Sequence, residues 1–460
     1  MDYRSVVRLT PPLPQRGTRM PNIISAKSSA SNSNPAKSGE ASPALGRPSR
    51  VPAMAWLVCL GSLCLLSPRL EANDSLIPKT RARLAAQAST KIVCLGDSVT
   101  GVYYHTGGRR AYPEMLQLIL SSQFPKTQIE VFNAGISGNT TSDGLQRLER
   151  DVLSHAPHLV CIMFGLNDMG RLDPSQFQAN LVTLVEKCRG GGAEVILCTP
   201  NGMMENPGRP RDRLKQFCQV LSETSRGHAI PLCDVFQAYE TLRTLDPRGW
   251  RLLFSDEIHP NMDGHRLTAR LLAQTISGED PPQDGEDPPH PATPKCLARR
   301  RASQEIRVLA MPPMDELLAK AGPNLSPELK LTIRRWEVGG KTLAEIEAAA
   351  RQVRGTPQTD LVLICLPAEV TPGQNPSHSQ ISSHSWILNH SLAFGHQEWD
   401  VVVVAPSLLG GTLTADSSAR EEFTRRMTRA QDLSLIARPL SEESTPAEDL
   451  LLRWLKSQGW

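Results

Sequence analysis

The chain has 460 residues and a formal net charge of +3, and 40% of its residues are hydrophobic and 21% charged. These proportions are near the average of globular proteins, which excludes a chain that is disordered throughout. The length is sufficient for one or two domains of ordinary size. The small net charge argues against a nucleic-acid partner, and the basic run Arg299-Arg300-Arg301 is of a kind that usually lies solvated in a linker.

The N-terminal part of the chain changes composition twice. Residues 1–50 are rich in Ser, Pro, Asn, Arg and Lys, which predicts a disordered leader. The apolar run Ala53–Leu66 is too short to span a bilayer comfortably and resembles the core of a secretory signal, so residues 51–72 are predicted to be a signal-peptide-like segment. We therefore expect a secreted, periplasmic or cell-envelope protein, with an uncleaved membrane anchor as the alternative.

Strand-like and helix-like segments alternate between residues 89 and 277. The predicted strands are Lys91–Leu95, Ile129–Phe132, Leu159–Phe164, Glu194–Cys198 and Ile230–Asp234. The predicted helices are Tyr112–Leu120, Gly144–Leu153, Phe177–Lys187, Arg211–Ser222 and His265–Gln274. Because such alternation requires crossover connections, it predicts an α/β fold with a parallel sheet that is covered by helices on both faces.

Residues 278–303 interrupt this pattern. The near-repeat of Glu279-Asp280-Pro281-Pro282 in Glu286-Asp287-Pro288-Pro289 predicts an extended acidic and proline-rich linker. From residue 304 to 460 the alternation resumes, which predicts a second, smaller α/β domain. Its predicted strands are Ile306–Ala310, Leu361–Leu366 and Val401–Ala405. Its predicted helices are Leu343–Val353, Ala419–Ala430 and Thr445–Ser457.

The second half resembles the first in the order of its segments. Gly339-Gly340-Lys341-Thr342 echoes Ser137-Gly138-Asn139-Thr140, and each tetrapeptide precedes a helix and then a strand. We interpret residues 304–460 as a divergent copy of the first half. The copy lacks the polar motifs described next, since it has Met311-Pro312-Pro313 where the first half has Gly-Asp-Ser. We therefore expect it to be non-catalytic and retained for packing or binding.

Ser98 is the candidate nucleophile. It follows the first predicted strand, and open α/β sheets bind ligands at the carboxyl ends of their strands. Because a serine hydroxyl is weakly nucleophilic, it requires a base, for which His259 is the candidate. Asp256 lies three residues earlier, a spacing that allows its carboxylate to curl back to the imidazole within one tight turn. A surface turn and a metal-ligand pair are the alternative interpretations of this spacing.

No metal or cofactor is expected. A metal site at Asp256 and His259 is disfavoured because the sequence has no second cluster of His, Asp or Cys with ligand spacing. Four further histidines lie in a serine-rich segment, for which we favour a solvated loop over a metal site: His378, His384, His390 and His396.

Two further segments carry groups that can stabilise negative charge. Gly138 follows the second strand, and a glycine allows the backbone N–H to approach a ligand closely. Asn167 follows the third strand and offers a neutral side-chain amide donor. Both residue types are also common in turns, so each is weak evidence by itself.

Taken together, four segments resemble the four blocks of the SGNH hydrolases, also called GDSL-type esterases. The resemblance covers residues 89–277 and implies a flavodoxin-like, three-layer α/β/α domain. One small departure is Val99, where members of the family often have leucine. The segments are Gly96-Asp97-Ser98, Gly138 within Ile-Ser-Gly-Asn-Thr-Thr, Gly165-Leu166-Asn167-Asp168 and Asp256-x-x-His259.

The resemblance also implies a role for each matching residue. Ser98 would be the nucleophile, His259 the base and Asp256 the residue that orients it. The backbone N–H groups of Ser98 and Gly138 and the side chain of Asn167 would form the oxyanion hole. Two acidic residues would support the loops, namely Asp97 and Asp168.

The sequence therefore predicts a secreted serine ester hydrolase that acts through an acyl-serine intermediate. Acyl esters or lysophospholipid-like molecules are the first candidate substrates, and acetyl esters of carbohydrate are the second. A binding module that has lost activity is the alternative of a different class, and the intact Ser98, Asp256 and His259 argue against it. The expected partner is a small-molecule or polymer-borne ester, with transient contact to a membrane or carbohydrate surface.

Overall fold

The computed structural model describes residues 76–282, 292–326, 328–353, 359–392, 399–410, 414–439 and 441–460. The predicted leader, residues 1–50, and the signal-like segment, residues 51–72, lie outside these ranges. Across the described ranges, no helix is both long and apolar enough to cross a bilayer. The two sheets described below belong to one compact unit.

Five parallel strands form the first sheet. They are β1 (Thr90–Gly96), β2 (Ile129–Gly135), β3 (Leu159–Met163), β4 (Glu194–Cys198) and β5 (Leu232–Cys233). Their order is β2-β1-β3-β4-β5, and every neighbouring pair is parallel. All residues of β3 are buried, as expected for a strand that is covered on both faces. The predicted parallel α/β fold is confirmed, and this strand order is the flavodoxin-like one.

The helices of the first half form two groups beside the sheet. Helix α9 contacts α1 and α2, and helix α5 contacts α3 and α6. The bounds are α1 (Pro78–Ala85), α2 (Tyr112–Gln123), α3 (Thr141–Gln146), α4 (Leu148–Asp151), α5 (Pro174–Gly190), α6 (Arg211–Gly227), α7 (Val235–Leu245), α8 (Pro247–Arg251) and α9 (Met262–Ser277).

The register of the three adjacent strands β2, β1 and β3 brings their carboxyl ends together. Gly96, at the end of β1, pairs with Gly135 of β2 and with Met163 of β3. Gly96 has no room for a side chain, because a Cβ there would lie 2.7 Å from the backbone oxygen of Met163. The segments that follow these strands therefore converge at one edge of the sheet.

The second sheet repeats the same topology. Its parallel strands are β6 (Ile306–Ala310), β7 (Leu331–Arg335), β8 (Leu361–Ile364), β9 (Asp400–Val404) and β10 (Ser434–Ile436), in the order β7-β6-β8-β9-β10. Numbered within its own half, this is again the order 2-1-3-4-5. The accompanying helices are α10 (Pro294–Arg301), α11 (Met314–Ala321), α12 (Leu343–Val353), α13 (His378–Ser391), α14 (Pro406–Leu409), α15 (Ala415–Ala430) and α16 (Ala447–Ser457).

The two glycine segments noted in the sequence adopt matching local structures. Gly138 and Gly340 both have a left-handed backbone, with φ of 77° and 70°. Two residues later, Thr140 and Thr342 each accept a hydrogen bond from the backbone N–H three residues further on, which caps α3 and α12 respectively. The shared strand order and this shared cap support the interpretation of the second half as a divergent copy, which stays a prediction.

One predicted helix of the first half is broken. The sequence predicts a continuous helix Gly144–Leu153, whereas the structure has α3, α4 and a 3-10 turn at Leu153–His155. The break falls at Arg147, whose side chain turns inward and donates hydrogen bonds to the ends of β1 and β2. Because these buried bonds fix the backbone at the junction, the apolar periodicity alone does not predict the break.

The predicted linker contains a helix. Residues 278–303 were expected to be extended, but Pro294–Arg301 forms α10, and residues 283–291 lie outside the described ranges. The backbone N–H groups of Lys295 and Cys296 donate to the carboxylate of Asp400, at 3.2 and 2.8 Å. A carboxylate at a helix N-terminus satisfies N–H groups that have no partner within the helix, so α10 is stabilised by a contact that is distant in sequence.

The histidine-rich segment was expected to be a loop and is instead helix α13. Ser377 and Gln380 form a capping box at its start, a signal that the sequence contains. His384 is buried, and burial lowers its pKa to about 4. Three of the four histidines lie on this helix, namely His378, His384 and His390, and His396 lies outside the described ranges.

Candidate active site

Ser98, His259 and Asp256 form a continuous hydrogen-bonded series. The hydroxyl oxygen of Ser98 lies 2.9 Å from Nε2 of His259, and Nδ1 of His259 lies 2.7 Å from Oδ2 of Asp256. The other carboxylate oxygen of Asp256 accepts the backbone N–H groups of Ile258 and His259, both at 2.8 Å. These bonds close a tight turn, and the turn is the reason why a three-residue spacing brings the carboxylate to the imidazole.

A tyrosine hydroxyl completes the surroundings of the Asp256 carboxylate. Tyr104 donates to Oδ2 of Asp256 at 2.5 Å, and its oxygen lies 3.2 Å from Nδ1 of His259. Burial alone would raise the pKa of Asp256, but the hydrogen bonds from His259 and Tyr104 outweigh it and hold that pKa well below its usual range. Burial and the neighbouring carboxylate raise the pKa of Tyr104, so its hydroxyl stays a donor. Tyr104 is a residue of the site that was not predicted from the sequence.

Three groups near Ser98 can donate hydrogen bonds to an anion. The backbone N–H groups of Ser98 and Gly138 donate to no protein acceptor among the described residues. The side-chain amide of Asn167 donates to the backbone oxygen of Asn139 at 3.0 Å and to Oδ2 of Asp97 at 3.3 Å. These contacts hold the amide between the loops that follow β1 and β2. To donate a hydrogen bond to a substrate, the amide only has to exchange one of these two acceptors for an oxygen of the substrate.

The two acidic residues predicted to support loops are both buried and hydrogen-bonded. Asp97 accepts the backbone N–H of Val99 at 2.9 Å, and burial raises the pKa of this carboxyl to about 6. Asp168 accepts both the backbone N–H and the hydroxyl of Thr141, at 2.8 and 2.6 Å, and the backbone N–H of Gly165 at 3.2 Å. Asp168 thus joins the loop after β3 to the start of α3.

Arg147 is a buried residue of the site that the sequence analysis missed. Its guanidinium donates to the backbone oxygens of Gly96 and Ala134, both at 2.8 Å, and to the side-chain oxygen of Asn139 at 2.7 Å. It therefore ties the ends of β1 and β2 to the loop that carries Gly138. No local pattern in the sequence marks this arginine, because its three partners come from two other segments.

Two buried histidines extend from the base into the protein. The backbone N–H of Tyr112 donates to Nδ1 of His265 at 3.1 Å, and Nε2 of His265 lies 3.2 Å from Nδ1 of His105. Nε2 of His105 lies 3.0 Å from the backbone oxygen of Ser98, which can only accept. Both ends of this series require each histidine to be neutral, with its proton on Nε2. Burial lowers the pKa of both, to about 3 for His265.

The second half of the chain contacts the same region. Trp386 of α13 stacks on the ring of Tyr104, with centroids 5.8 Å apart. Asp432, in the turn after α15, forms an ion pair with Arg110 at 2.8 Å, and both side chains are buried. The loop from Tyr104 to Arg110 is therefore held by elements of both halves.

The described residues offer little for a metal. Across the ranges that the structure describes, no group of three or more His, Cys, Asp or Glu side chains could hold a metal ion. The eight cysteines in these ranges are free and buried, and Cys188, Cys218 and Cys233 are among them.

Comparison with known proteins identifies the family. Residues 94–267 match the model of the GDSL-like lipase/acylhydrolase family. The chain is 30% identical over 214 residues to an acetylxylan esterase of Geobacillus stearothermophilus, a match that covers 41% of this chain and 94% of the relative. This chain belongs to the GDSL-like lipase/acylhydrolase family. It is a carboxylic ester hydrolase, and the predicted family is confirmed.

Two further similarities each cover a comparable share of this GDSL-family hydrolase. An arylesterase of Vibrio mimicus is 26% identical over 193 residues, which cover 42% of this chain and 90% of the relative. The crystal structure of a lipase/acylhydrolase from Enterococcus faecalis is 30% identical, with a TM-score of 0.37, and the match covers 41% of this chain and 96% of that one. Each of these matches covers about two fifths of the chain.

Proposed function

We propose that this hydrolase cleaves carboxylic esters through an acyl intermediate on Ser98. The observation that carries the proposal is the hydrogen-bonded series Ser98–His259–Asp256, with heavy-atom distances of 2.9 and 2.7 Å. These distances are within the range in which a serine hydroxyl is activated by an imidazole base. The series lies at the carboxyl end of β1, where open α/β sheets bind their ligands.

In the first half-reaction, Ser98 Oγ attacks the ester carbonyl carbon and its proton moves to Nε2 of His259. Asp256 accepts the Nδ1–H of His259, which leaves Nε2 free to take that proton and stabilises the resulting imidazolium. The carbonyl oxygen becomes an oxyanion, which the N–H groups of Ser98 and Gly138 and the amide of Asn167 stabilise. The carbon–oxygen bond to the alcohol then breaks, and His259 protonates the departing alkoxide.

In the second half-reaction, water replaces the alcohol. His259 takes a proton from the water as its oxygen attacks the acyl carbon, and the oxyanion forms again in the same position. The bond between the acyl carbon and Ser98 Oγ breaks, His259 returns the proton to Ser98, and a carboxylic acid is released. With the ester and one water molecule as reactants, both steps balance using only the residues of the chain.

Hydrolysis of p-nitrophenyl acetate by the wild type and by Ser98→Ala tests the proposal. We expect the variant to lose many orders of magnitude in kcat, with only the residual rate that the oxyanion hole can support. Ser175→Ala, an exposed serine on α5, is the matched control and should retain the wild-type rate. Equal rates for the wild type and Ser98→Ala would show that the nucleophile is wrong.

The substrate class is a second part of the proposal. We place acyl esters and lysophospholipid-like esters first, because the segment Ile136–Thr141 resembles the lysophospholipase and arylesterase branch of the family. Acetyl esters of carbohydrate are the second candidate, and similarity to an acetylxylan esterase over almost its whole length favours them. Rates with p-nitrophenyl acetate, p-nitrophenyl octanoate, lysophosphatidylcholine and acetylated xylan separate these classes. A preference for acetylated xylan above tenfold in kcat/KM would reverse our order.

We further propose that the enzyme acts outside the cytoplasm. The proposal rests on the apolar run Ala53–Leu66 and on the small residue Ala72 at a candidate cleavage site. Expression of the full chain followed by N-terminal sequencing of the exported protein is the test. A start near residue 73 supports a cleaved signal, whereas retention of the complete chain in the membrane fraction supports an anchor.

A further inference from the structure

Tyr104, in the loop that follows the candidate nucleophile Ser98, receives an aromatic contact from the second half of the chain. Trp386 on α13 stacks on Tyr104, with ring centroids 5.8 Å apart and 23° between the planes. Trp386 also stacks on His390, one helical turn further on, at 5.2 Å and 26°. The indole therefore lies between a helix of the second half and the short turn that follows the nucleophile. Stacking of this kind fixes the orientation of a ring in addition to burying it.

The orientation of the Tyr104 ring matters because of where its hydroxyl points. Oδ2 of Asp256 accepts both the Tyr104 hydroxyl, at 2.5 Å, and Nδ1–H of His259, at 2.7 Å. The carboxylate thus divides its charge between a phenol and the imidazole. A displacement of the Tyr104 ring about the Cα–Cβ bond would move the hydroxyl away, remove the first bond and leave the whole charge of that oxygen facing His259.

A separate part of the second half holds the other end of the same loop. Asp432 pairs with Arg110 at 2.8 Å and accepts a bond from Arg109 at its backbone oxygen. Gln431 donates to the hydroxyl of Ser255 at 2.8 Å, directly before Asp256 in the sequence. Contacts from α13 and from the turn after α15 therefore converge on the segments that carry Tyr104 and Asp256.

We propose that Trp386 is a positioning residue of the hydrolase site and acts through Tyr104 on Asp256. The second half of the chain is then a working part of the site in addition to any role in packing or binding. This inference rests on the proposed function of Ser98, His259 and Asp256. Trp386 is given no contact with the substrate in this proposal. Its effect on the reaction must therefore pass through the hydroxyl of Tyr104.

Steady-state kinetics of the full chain on p-nitrophenyl acetate, measured from pH 5 to pH 9, provide the test. Trp386→Ala should lower kcat by about 3- to 10-fold, the range that one aromatic pair supports, with a smaller change in KM. The acidic limb of the pH–rate profile should move to higher pH, because the Asp256 charge then acts more fully on the His259 imidazolium. Trp386→Phe keeps a ring for stacking. This variant should therefore retain most of the wild-type kcat, and its acidic limb should lie at the wild-type pH.

Two further variants separate positioning from general destabilisation. Trp454→Ala removes a half-buried tryptophan that packs on the core of the second half, on α16, and should leave kcat and the pH profile unchanged. Tyr104→Phe removes only the hydroxyl. In that background Trp386→Ala should cause no further shift of the acidic limb, because the group through which it acts is already gone.

The results that would overturn the inference are specific. Trp386 would be only a packing residue if Trp386→Ala kept the wild-type kcat and pH–rate profile. The same conclusion would follow if Trp386→Ala shifted the acidic limb equally with and without the Tyr104 hydroxyl. If Trp386→Ala does not fold, the comparison of Trp386→Phe with Trp386→Leu takes its place, and equal profiles for these two would also overturn it. An active Ser98→Ala would instead show that the proposed function has failed, so the two failures are distinguishable.

Discussion

His105 lies parallel to the candidate base His259, with ring centroids 4.8 Å apart and 8° between the planes. Because His259 gains a proton in the proposed reaction, a charged ring in this position would oppose catalysis by direct repulsion. His105 is held neutral by its hydrogen bonds to the Ser98 backbone oxygen and to His265. The arrangement thus links the candidate nucleophile and the candidate base to a buried pair of uncharged imidazoles.

This pair predicts how stability depends on pH. Burial lowers the pKa of His265 to about 3 in the folded chain, whereas an unfolded histidine has a pKa near 6.5. The stability contributed by the neutral form is complete above about pH 6.5 and is lost as the pH falls toward 3, at about 1.4 kcal/mol per pH unit. Between pH 7 and pH 4.5 we expect the wild type to lose about 3 kcal/mol more than His265→Asn.

Urea denaturation of both proteins at the two pH values measures this difference. Asparagine can still accept the Tyr112 N–H but does not titrate. His228→Asn, at a half-exposed histidine on the surface, is the control and should keep the wild-type pH dependence. Identical pH dependence in the wild type and His265→Asn would show that His265 is not buried in its neutral form.

The sequence was sufficient for the parts of the site that are local. Strands β1, β3 and β4 contain continuous apolar runs. Gly-Asp-Ser, Gly138, Asn167 and Asp256-x-x-His259 each form a short motif at a strand end or within one turn. These motifs converge because parallel strands end at the same edge of a sheet. Fold and candidate triad therefore follow from short-range patterns.

The residues that were missed depend on long-range contacts. His105 and His265 are 160 residues apart, and neither lies in a short motif that would mark it. Arg147 lies within an amphipathic pattern, and its role appears only when the ends of β1 and β2 are placed around it. Trp386 belongs to a segment that the sequence analysis took for a solvated loop. Periodicity describes one element at a time, so it gives no information on such contacts.

The oxyanion hole gives a second prediction. Asn167→Ala removes the only side-chain donor among the three proposed, so kcat on p-nitrophenyl acetate should fall by about 10²- to 10³-fold. KM should change little, because the oxyanion forms only in the transition state. The loop should persist, since Asp168 keeps its bonds to Thr141.

The matched control for this variant is Asn324→Ala, an exposed asparagine in the second half. It should leave both constants unchanged. A rise in KM with an unaltered kcat for Asn167→Ala would indicate a role in binding the ground state, and Asn167 would then have to be removed from the oxyanion hole.

The last prediction concerns the buried ion pair between the two halves. Arg110 and Asp432 are both less than a tenth exposed and lie 2.8 Å apart. Asp432→Asn removes the carboxylate charge that lies 2.8 Å from the buried guanidinium of Arg110, which should lower the free energy of unfolding by about 3 kcal/mol. Asparagine also tolerates the positive φ of 54° at this position, so backbone strain does not contribute.

Urea denaturation at pH 7 measures the effect, with Asp212→Asn as the control. Asp212 pairs with Lys215 at 3.3 Å on the surface and is 93% exposed, so its loss should change stability by less than about 0.5 kcal/mol. The double variant Arg110→Met/Asp432→Asn should recover part of the lost stability, because it removes the buried guanidinium together with the carboxylate charge. A double variant less stable than Asp432→Asn alone would show that charge compensation is not the main contribution of this pair to stability. The packing of the Arg110 side chain would then be the stabilising contact between the two halves.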